Sequence, residues 1–297
     1  MLESLISAGL PITLIIVMIG VGLGLTPQDF YRVVHTPKGF LVGITGQLVL
    51  LPLIALLLIE LLGLTGGVAI GLFMIALCPG GATSNLFSML AKADVGLSVS
   101  LTAVIGFITP FSIPLLANWA INHYGENAQD ISLPLLKTFF QLVVVSVIPV
   151  IAGMLLRAKW PSWAQRSELW VNRASSAVLA LLILAICLQL GNQLLSSAAR
   201  AGVAAVLLNV ITMSLGYKLG KSLLDSEAQA RTIVLEIGLQ NGTMALMLTT
   251  GVLKSAEMSM APIIYSVVMF GSAAVFTALV SYRSKLLKNK PPHCHCK

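Results

Sequence analysis

The sequence predicts an all-α polytopic membrane protein, and three observations support this fold class. Of the 297 residues, 57% are hydrophobic and only 10% are charged, with a mean hydropathy of +0.94. A soluble domain carries about 25% charged residues. Long apolar stretches recur from one end of the chain to the other. The cations behind the net charge of +7 lie between these stretches and form no basic stripe, so nucleic acid is not an expected partner.

Nine spans are predicted, because nine apolar stretches are long enough to cross the roughly 30 Å hydrocarbon core of a bilayer as helices. They cover residues 8–26, 39–62, 68–90, 95–121, 134–156, 174–191, 201–219, 232–252 and 262–282. No Lys or Arg precedes the first span, unlike in a cleavable signal peptide, so we expect this span to be retained. The pattern predicts one transmembrane domain over residues 1–283 and a basic tail over residues 284–297.

Two polar segments lie between the later predicted spans, and the first of them is predicted to be a loop. Residues 157–173 are the most basic internal segment, and their tryptophans suit the headgroup region of a membrane. Residues 192–200 form a polar link between the sixth and seventh spans. Within the fourth span we expect a break near Thr109 and Pro110, since sharp kinks occur at proline.

The positions of the cations predict the orientation of the chain. If the N-terminus lies outside and the C-terminus inside, 15 of the 18 Lys and Arg residues fall on the cytoplasmic side, and only Lys137, Arg200 and Lys254 lie outside. We therefore expect a protein of the plasma (inner) membrane with a cytoplasmic tail. The lipid bilayer is the partner that this pattern requires, and no obligate protein partner is indicated.

Spans three and eight differ from ordinary membrane helices because their centres are polar and contain glycine. The third is interrupted by Cys-Pro-Gly-Gly-Ala-Thr-Ser-Asn at 78–85, and the eighth contains Glu-Ile-Gly-Leu-Gln-Asn-Gly-Thr at 236–243. Such a centre is tolerated only where the helix is buried in protein or lines a wet cavity. Secondary transporters hold ions and substrates at broken helices of this kind, often within inverted repeats. Pairing spans one to four with six to nine predicts such a repeat.

Glu236 is the one carboxylate in the middle of a predicted span, and no Lys, Arg or His lies at a similar depth. Its charge must be balanced by a bound cation or by a proton. The spans contain no His, Cys and carboxylate cluster with transition-metal spacing, which favours Na⁺ as the cation. Oxygens that Na⁺ requires are offered by Ser84, Asn85, Gln240 and the carbonyls near Ile237 and Leu239.

The two broken segments closely resemble the signature segments of the bile acid:sodium symporter family, and the resemblance continues through residues 22–30 and Gln47. It extends over nearly the whole chain. The resemblance implies a transporter and not an enzyme, with a core domain and a panel domain that rock against each other in alternating access. It also implies that two co-transported Na⁺ ions bind where the two discontinuous helices cross, and that the substrate is an organic anion, either a bile acid or another small carboxylate or sulfonate.

The family's sodium ligands can be carried over position by position. The resemblance implies one site at Ser84, Asn85, Ser98, Thr102 and Glu236. It implies a second site at Gln47, Glu236, Gln240 and the backbone carbonyls of Ile237 and Leu239. With nine predicted spans the chain resembles the nine-helix form of the family, as in its animal members, which starts one helix later than the ten-helix bacterial pattern.

Three residues near the breaks are expected to contact the substrate. The resemblance implies a contact at Thr83, although the order Ala82-Thr83 is reversed relative to the family. Asn241 and Thr243 lie at the start of a half-helix, where free N–H groups and the positive end of the helix dipole favour an anionic group.

Other interpretations of the same residues stay open. Glu236 could carry protons in a proton-coupled or efflux transporter, or be a protonated structural carboxyl. Ser98 and Thr102 are spaced one turn apart, which also suits hydrogen bonds to their own helix carbonyls. Asn85 and Gln240 could join helices by hydrogen bonds alone. A membrane receptor or channel that binds without accumulating its ligand is a further class.

Overall fold

The computed structural model describes residues 2–35, 37–125, 133–190 and 193–288. The structure is 89% helical, and the described residues form no strand, so the all-α prediction is confirmed. The His and Cys residues of the basic tail lie outside the described residues.

The first half of the chain contains seven α-helices within the described residues. They are α1 (Leu2–Gly24), α2 (Pro27–His35), α3 (Pro37–Thr45), α4 (Leu51–Leu61), α5 (Gly66–Leu77), α6 (Ala82–Leu90) and α7 (Val95–Tyr124). A π-helical turn, Gly46–Leu50, joins α3 to α4, so the three segments form one continuous rod. Between α5 and α6 the helix is interrupted by four residues, 78–81.

The second half contains seven more helices in the part of the chain that the structure describes. They are α8 (Leu135–Leu142), α9 (Ile148–Lys159), α10 (Pro161–Leu190), α11 (Gln193–Leu223), α12 (Glu227–Gly238), α13 (Gly242–Leu246) and α14 (Ala256–Lys288). A π-helical turn, Val143–Val147, joins α8 to α9, and another, Met247–Val252, continues α13. The break between α12 and α13 spans residues 239–241.

Five helical stretches in the described residues are long and apolar enough to cross a membrane. They are Pro37–Leu61, Val95–Tyr124, Leu135–Lys159, Ala199–Leu223 and Ala256–Arg283. These coincide with the second, fourth, fifth, seventh and ninth predicted spans. Shorter apolar helices cover Ala8–Gly24, Gly66–Leu77 and Gly242–Val252, which are parts of the first, third and eighth. The protein therefore crosses the membrane several times, and the count of nine stays a prediction.

The predicted break in the fourth span is wrong, because α7 runs without interruption through Thr109 and Pro110. Proline has no N–H, so the carbonyl four residues earlier, that of Gly106, loses its helical donor. The Thr109 hydroxyl donates to this carbonyl at 3.4 Å. A nearby side chain therefore supplies a hydrogen bond to the group that the proline leaves free.

The prediction of a loop over residues 157–173 is also wrong, since most of these residues are helical. Helix α9 extends to Lys159, and α10 begins at Pro161, where proline fits the first turn of a helix well. Helix α11 likewise begins at Gln193. The polar residues mark where an apolar stretch of the sequence ends, but the helices continue through these polar residues.

The helices pack into two groups. In the first, α1 contacts α9 and α10, and α8 continues into α9. Here Gly22 lies directly against Gly153, since a Cβ on Gly22 would lie 2.9 Å from the Gly153 Cα. The same Cβ would overlap the Val150 carbonyl oxygen. Such contacts between small residues let membrane helices approach closely.

The second group is built around α5, whose twelve residues are all buried. A helix that is apolar on every side belongs inside a bundle. Helices α4, α7, α11 and α14 contact α5, and α12 packs on α11. The two breaks lie inside this second group.

Candidate functional site

The two breaks meet at the centre of the second helix group. Gly80 and Gln240 form an isolated antiparallel bridge, and the Asn241 N–H donates to the Pro79 carbonyl at 2.8 Å. Backbone groups that the interrupted helices leave free thus find partners in the opposite break. The two discontinuous helices cross here, with residues 78–81 against residues 239–241.

Glu236 lies next to this crossing and is completely buried. Its Oε1 accepts a hydrogen bond from the Ser98 hydroxyl, and its Oε2 accepts one from the Thr102 hydroxyl at 3.0 Å. Among the described residues no Lys, Arg or His forms an ion pair with it. The charge of a buried carboxylate without a cationic partner must be balanced by something that enters the site.

The structure brings the five residues of the first predicted sodium site together. Asn85 lies beside Ser98, whose hydroxyl is 2.8 Å from the Asn85 Oδ1. The Ser84 hydroxyl lies 3.4 Å from the Thr102 hydroxyl and donates to the Gly81 carbonyl at 2.8 Å. Three helices supply the five residues, with Ser84 and Asn85 on α6, Ser98 and Thr102 on α7, and Glu236 on α12. The first break adds the Gly81 carbonyl.

Around Ser98 there are fewer hydroxyl protons than acceptor oxygens. Its hydroxyl lies within hydrogen-bonding distance of both Asn85 Oδ1 and Glu236 Oε1, yet a hydroxyl has one proton to donate. The Ser88 hydroxyl supplies no proton to either acceptor, because it donates to the Ser98 oxygen at 3.2 Å. One acceptor therefore lacks a donor. A cation bound among these oxygens, or one additional proton, would satisfy it.

The second predicted site is assembled around Gln240. The Gln47 Nε2 donates to the Gln240 Oε1 at 3.1 Å, and the Gln240 Nε2 donates to the Ile237 carbonyl at 2.8 Å. The Ile237 carbonyl, expected as a sodium ligand, thus accepts a side-chain hydrogen bond. The Gln47 Oε1 is buried and has no partner among the described residues, so an oxygen acceptor remains open at this site. The Leu239 residue is fully buried in the break itself.

Gly80 connects the two predicted sites. A Cβ at this position would lie 2.9 Å from Glu236 Oε2, 3.4 Å from Thr102 Oγ1 and 3.6 Å from Gln47 Nε2. The absence of a side chain therefore leaves open the space next to the carboxylate. In the sequence Gly80 is recognisable only as part of a helix-breaking motif, and no sequence signal indicates its place beside the carboxylate.

The predicted substrate residues lie on both half-helices. Asn241 accepts the Met244 N–H at 2.9 Å and so caps α13, while its Nδ2 is buried without a partner among the described residues. Thr83 is partly exposed on α6, and its hydroxyl lies 3.3 Å from the position of a Gly81 Cβ. The Asn241 Cα lies 3.9 Å from the same position, so Thr83 and Asn241 are neighbours across Gly81. Thr243 is buried in α13.

Two further residues support the second break and were not predicted. The Asn209 Nδ2 and the Tyr265 hydroxyl both donate to the Gly238 carbonyl, at 2.9 and 3.1 Å. This carbonyl ends α12, where the break removes its helical donor. A signal was present, since Asn209 is an amide in the middle of the seventh predicted span.

The two helix groups meet beside the crossing, where they enclose a narrow gap. Its volume is about 10 Å³, roughly the space that one water molecule needs. It is lined by Met18, Val21, Ser146 and Val150 from the first group and by Pro79, Gly80, Thr102 and Phe107 from the second, among others. A substrate larger than water does not fit into this gap as it stands.

Two broken helices that cross at a buried carboxylate within a multi-pass helical bundle are typical of membrane transporters. The sequence profile of the sodium bile acid symporter family matches residues 11–198. The chain belongs to this family, whose members are symporters and not enzymes. The matched region contains the first break, and the second break with Glu236 lies beyond it.

Three curated proteins illustrate the similarity. The chain is 28% identical to an uncharacterized sodium-dependent transporter, YocS, of Bacillus subtilis, over 82% of this chain and 74% of that protein. It is 28% identical to the ileal sodium/bile acid cotransporter of Oryctolagus cuniculus, over 97% of this chain and 83% of that protein. It is 28% identical to the probable chloroplastic sodium/metabolite cotransporter BASS1 of Oryza sativa subsp. japonica, over 78% of this chain but only 56% of that protein.

Proposed function

We propose that the protein is a sodium-coupled symporter that imports an organic anion by alternating access. The observation that carries this proposal is the buried Glu236, which has no cationic partner among the described residues and sits among oxygens with too few protons. Carboxylate, amide and hydroxyl oxygens around a broken helix are the ligands that Na⁺ uses in transporters. The names of the relatives, which include sodium-dependent transporters and cotransporters, agree with this cation.

The first ion would be held by Glu236, Ser98, Thr102, Asn85 and Ser84, whose side chains already lie in one cluster. The second would be held by Gln47, Gln240 and Glu236, with the carbonyls of Ile237 and Leu239. The Ile237 carbonyl already accepts a hydrogen bond from the Gln240 amide, and its second lone pair could coordinate the ion. The open Gln47 Oε1 supports an ion there.

The anion would bind beside the crossing, at Thr83, Asn241 and Thr243. The buried Asn241 Nδ2 is a donor without a partner among the described residues, and such a donor favours an acceptor group on the substrate. The N-terminal ends of α6 and α13 also point to this region, which favours negative charge. A bile acid or another small carboxylate or sulfonate meets these requirements.

In the proposed cycle, nine spans form an inverted repeat with the N-terminus outside. The first helix group acts as the panel domain and the second as the core domain, in one transmembrane domain over residues 1–283. Two Na⁺ ions order the crossing and complete the anion site, so each ligand raises the affinity for the other. Movement of the two groups would then open the closed gap between them to either side in turn.

Thermal stability of the purified protein with a panel of organic anions tests this proposal, each anion being added in NaCl and in matched KCl. A ligand that binds only the folded state raises its apparent stability. We expect stabilisation by one class of anion only when Na⁺ is present. Equal shifts in NaCl and KCl would contradict sodium coupling, and binding without accumulation in proteoliposomes would instead indicate a receptor or channel.

A proton-coupled or efflux transporter is a second candidate, and one observation favours it. A proton on Glu236 Oε1 could be donated to the Ser98 oxygen, which would free the Ser98 hydroxyl to donate to Asn85. One proton therefore satisfies the same hydrogen-bond shortage as a cation. Uptake driven by a pH gradient in sodium-free proteoliposomes would favour this alternative, and uptake that requires Na⁺ at every pH would reject it.

A further inference from the structure

A second cavity lies away from the crossing, between α11, α12 and α14. Its volume is about 430 Å³, which is within the size range of small-molecule sites. Residues that line it include Lys218, Arg231 and Arg283. None of the predicted sodium or substrate residues lines this cavity, so it is distinct from the site at the crossing.

The cavity has an excess of positive charge. Glu227 is the one acidic residue in its lining, and it is already paired with Arg231 at 3.3 Å and with Lys221 at 3.4 Å. Lys218 and Arg283 form no ion pair with any described residue, and both side chains are exposed. Two cations on facing helices therefore remain available to an anionic ligand.

The α14 side of the cavity is apolar apart from Arg283 and continues onto the outer surface of that helix. Phe276 and Leu279 line the cavity, and Leu279 is 62% exposed. Val275, one turn earlier, is 60% exposed. An exposed apolar strip on a membrane-spanning helix faces lipid acyl chains. Tyr282, at 64% exposure, lies one turn closer to the cations, as aromatic rings do at the headgroup level.

We propose that this cavity binds an anionic phospholipid, with its phosphate at Lys218 and Arg283 and an acyl chain along Leu279 and Val275. The charge of the cavity selects an anion, and its continuation onto the lipid-facing strip selects a ligand with a long apolar body. Basic pockets between membrane helices bind the headgroups of anionic lipids in this way. A soluble anion would use the cations and leave the apolar wall uncovered.

Native mass spectrometry of the full-length protein, purified in detergent and incubated with phosphatidylglycerol or phosphatidylcholine, tests the proposal. We expect one phosphatidylglycerol to be retained in preference to phosphatidylcholine. The double variant Lys218→Gln/Arg283→Gln should weaken this binding roughly thirtyfold, because two cations attract the headgroup. Val280→Trp, which fills the cavity and keeps the charges, should also abolish retention.

The matched control is Arg166→Gln/Arg173→Gln, which removes two exposed cations from α10. It should retain phosphatidylglycerol as the wild type does. Equal retention of both lipids, or equal loss in the control variant, would overturn the specific site. Displacement of the lipid by glycerol phosphate at equal concentration would also overturn the proposal, since it would show that the cavity recognises a soluble anion.

Discussion

The first break, residues 78–81, and the second, residues 239–241, form one crossing but are supported differently. After the second break, every residue of α13 is buried, and Asn209 and Tyr265 hold the carbonyl that ends α12. After the first break, α6 is partly exposed, and its last residues Met89 and Leu90 are 56% and 50% exposed.

The difference in burial matches a difference in chemistry. The well-supported second break carries the carboxylate, Glu236, whose position must be accurate because a buried charge tolerates few arrangements. The more exposed α6 carries the neutral candidate ligands Ser84 and Asn85 and the candidate substrate contact Thr83. The second break is therefore the more deeply buried side of the candidate site.

The largest effect is expected from removing the charge at the second break. Glu236→Gln keeps the size of the side chain but removes the charge that a bound Na⁺ would balance, so the sodium affinity should fall about a hundredfold or more. The sodium concentration for half-maximal uptake in proteoliposomes measures this. Glu60→Gln, which changes an exposed carboxylate at the end of α4, is the control and should behave as the wild type. Normal sodium dependence in Glu236→Gln would show that Glu236 does not bind Na⁺.

A smaller but still large effect is expected from filling the space at the first break. In Gly80→Ala the new Cβ would lie 2.9 Å from Glu236 Oε2, so the carboxylate must move. Overpacking of this kind costs about 2 kcal/mol, or roughly thirtyfold in sodium affinity. Gly106→Ala on α7 is the matched control, because its Cβ would meet no atom within 4 Å. If both variants bind Na⁺ equally, the space beside Gly80 is not part of the site.

Two buried serines, Ser98 and Ser88, allow direct contact with the carboxylate to be distinguished from indirect contact. Ser98 donates to Glu236, whereas Ser88 donates to Ser98. Hydrogen bonds to charged groups contribute about 1.5–3 kcal/mol, and the smaller value alone corresponds to about tenfold, so Ser98→Ala should weaken sodium binding about tenfold or more. Ser88→Ala should change it by less than about threefold, although both side chains are fully buried. Equal effects in a sodium titration of thermal stability would mean that the hydroxyls act only through packing.

The smallest effect is expected at the support of the second break. Tyr265→Phe removes one of two hydrogen bonds to the Gly238 carbonyl, which Asn209 still satisfies, so the free energy of unfolding should fall by about 1 kcal/mol. Tyr282→Phe, at an exposed position on the same helix, is the control and should leave stability unchanged. Unfolding in denaturing detergent compares the two variants. Identical unfolding would show that the Tyr265 hydrogen bond does not stabilise the second break.

Local chemistry made the helical class and the two breaks predictable. Apolar stretches of membrane length require helices, because backbone groups in lipid must be satisfied within the segment. Glycine, proline and polar side chains in the middle of such stretches identified residues 78–85 and 236–243, and Glu236 was conspicuous as a carboxylate without a cation at its depth.

Other features depended on neighbours that the sequence does not display. The fourth span was predicted to break at Pro110, but the Thr109 hydroxyl supplies a hydrogen bond to the carbonyl that the proline frees. The segment 157–173 was predicted to be a loop from its polarity, yet α10 starts at Pro161. The polarity of a segment indicates whether it lies in lipid or in water, but it does not indicate where a helix ends.

The residue types within each span were enough to predict a helical membrane protein with two polar breaks and one isolated carboxylate. The surroundings of that carboxylate depend instead on how the helices pack. Packing places Ser98 between Asn85 and Glu236, sets Gly80 against the carboxylate, and brings Asn209 and Tyr265 to the Gly238 carbonyl. These contacts join residues from different helices, and their geometry depends on how the helices cross.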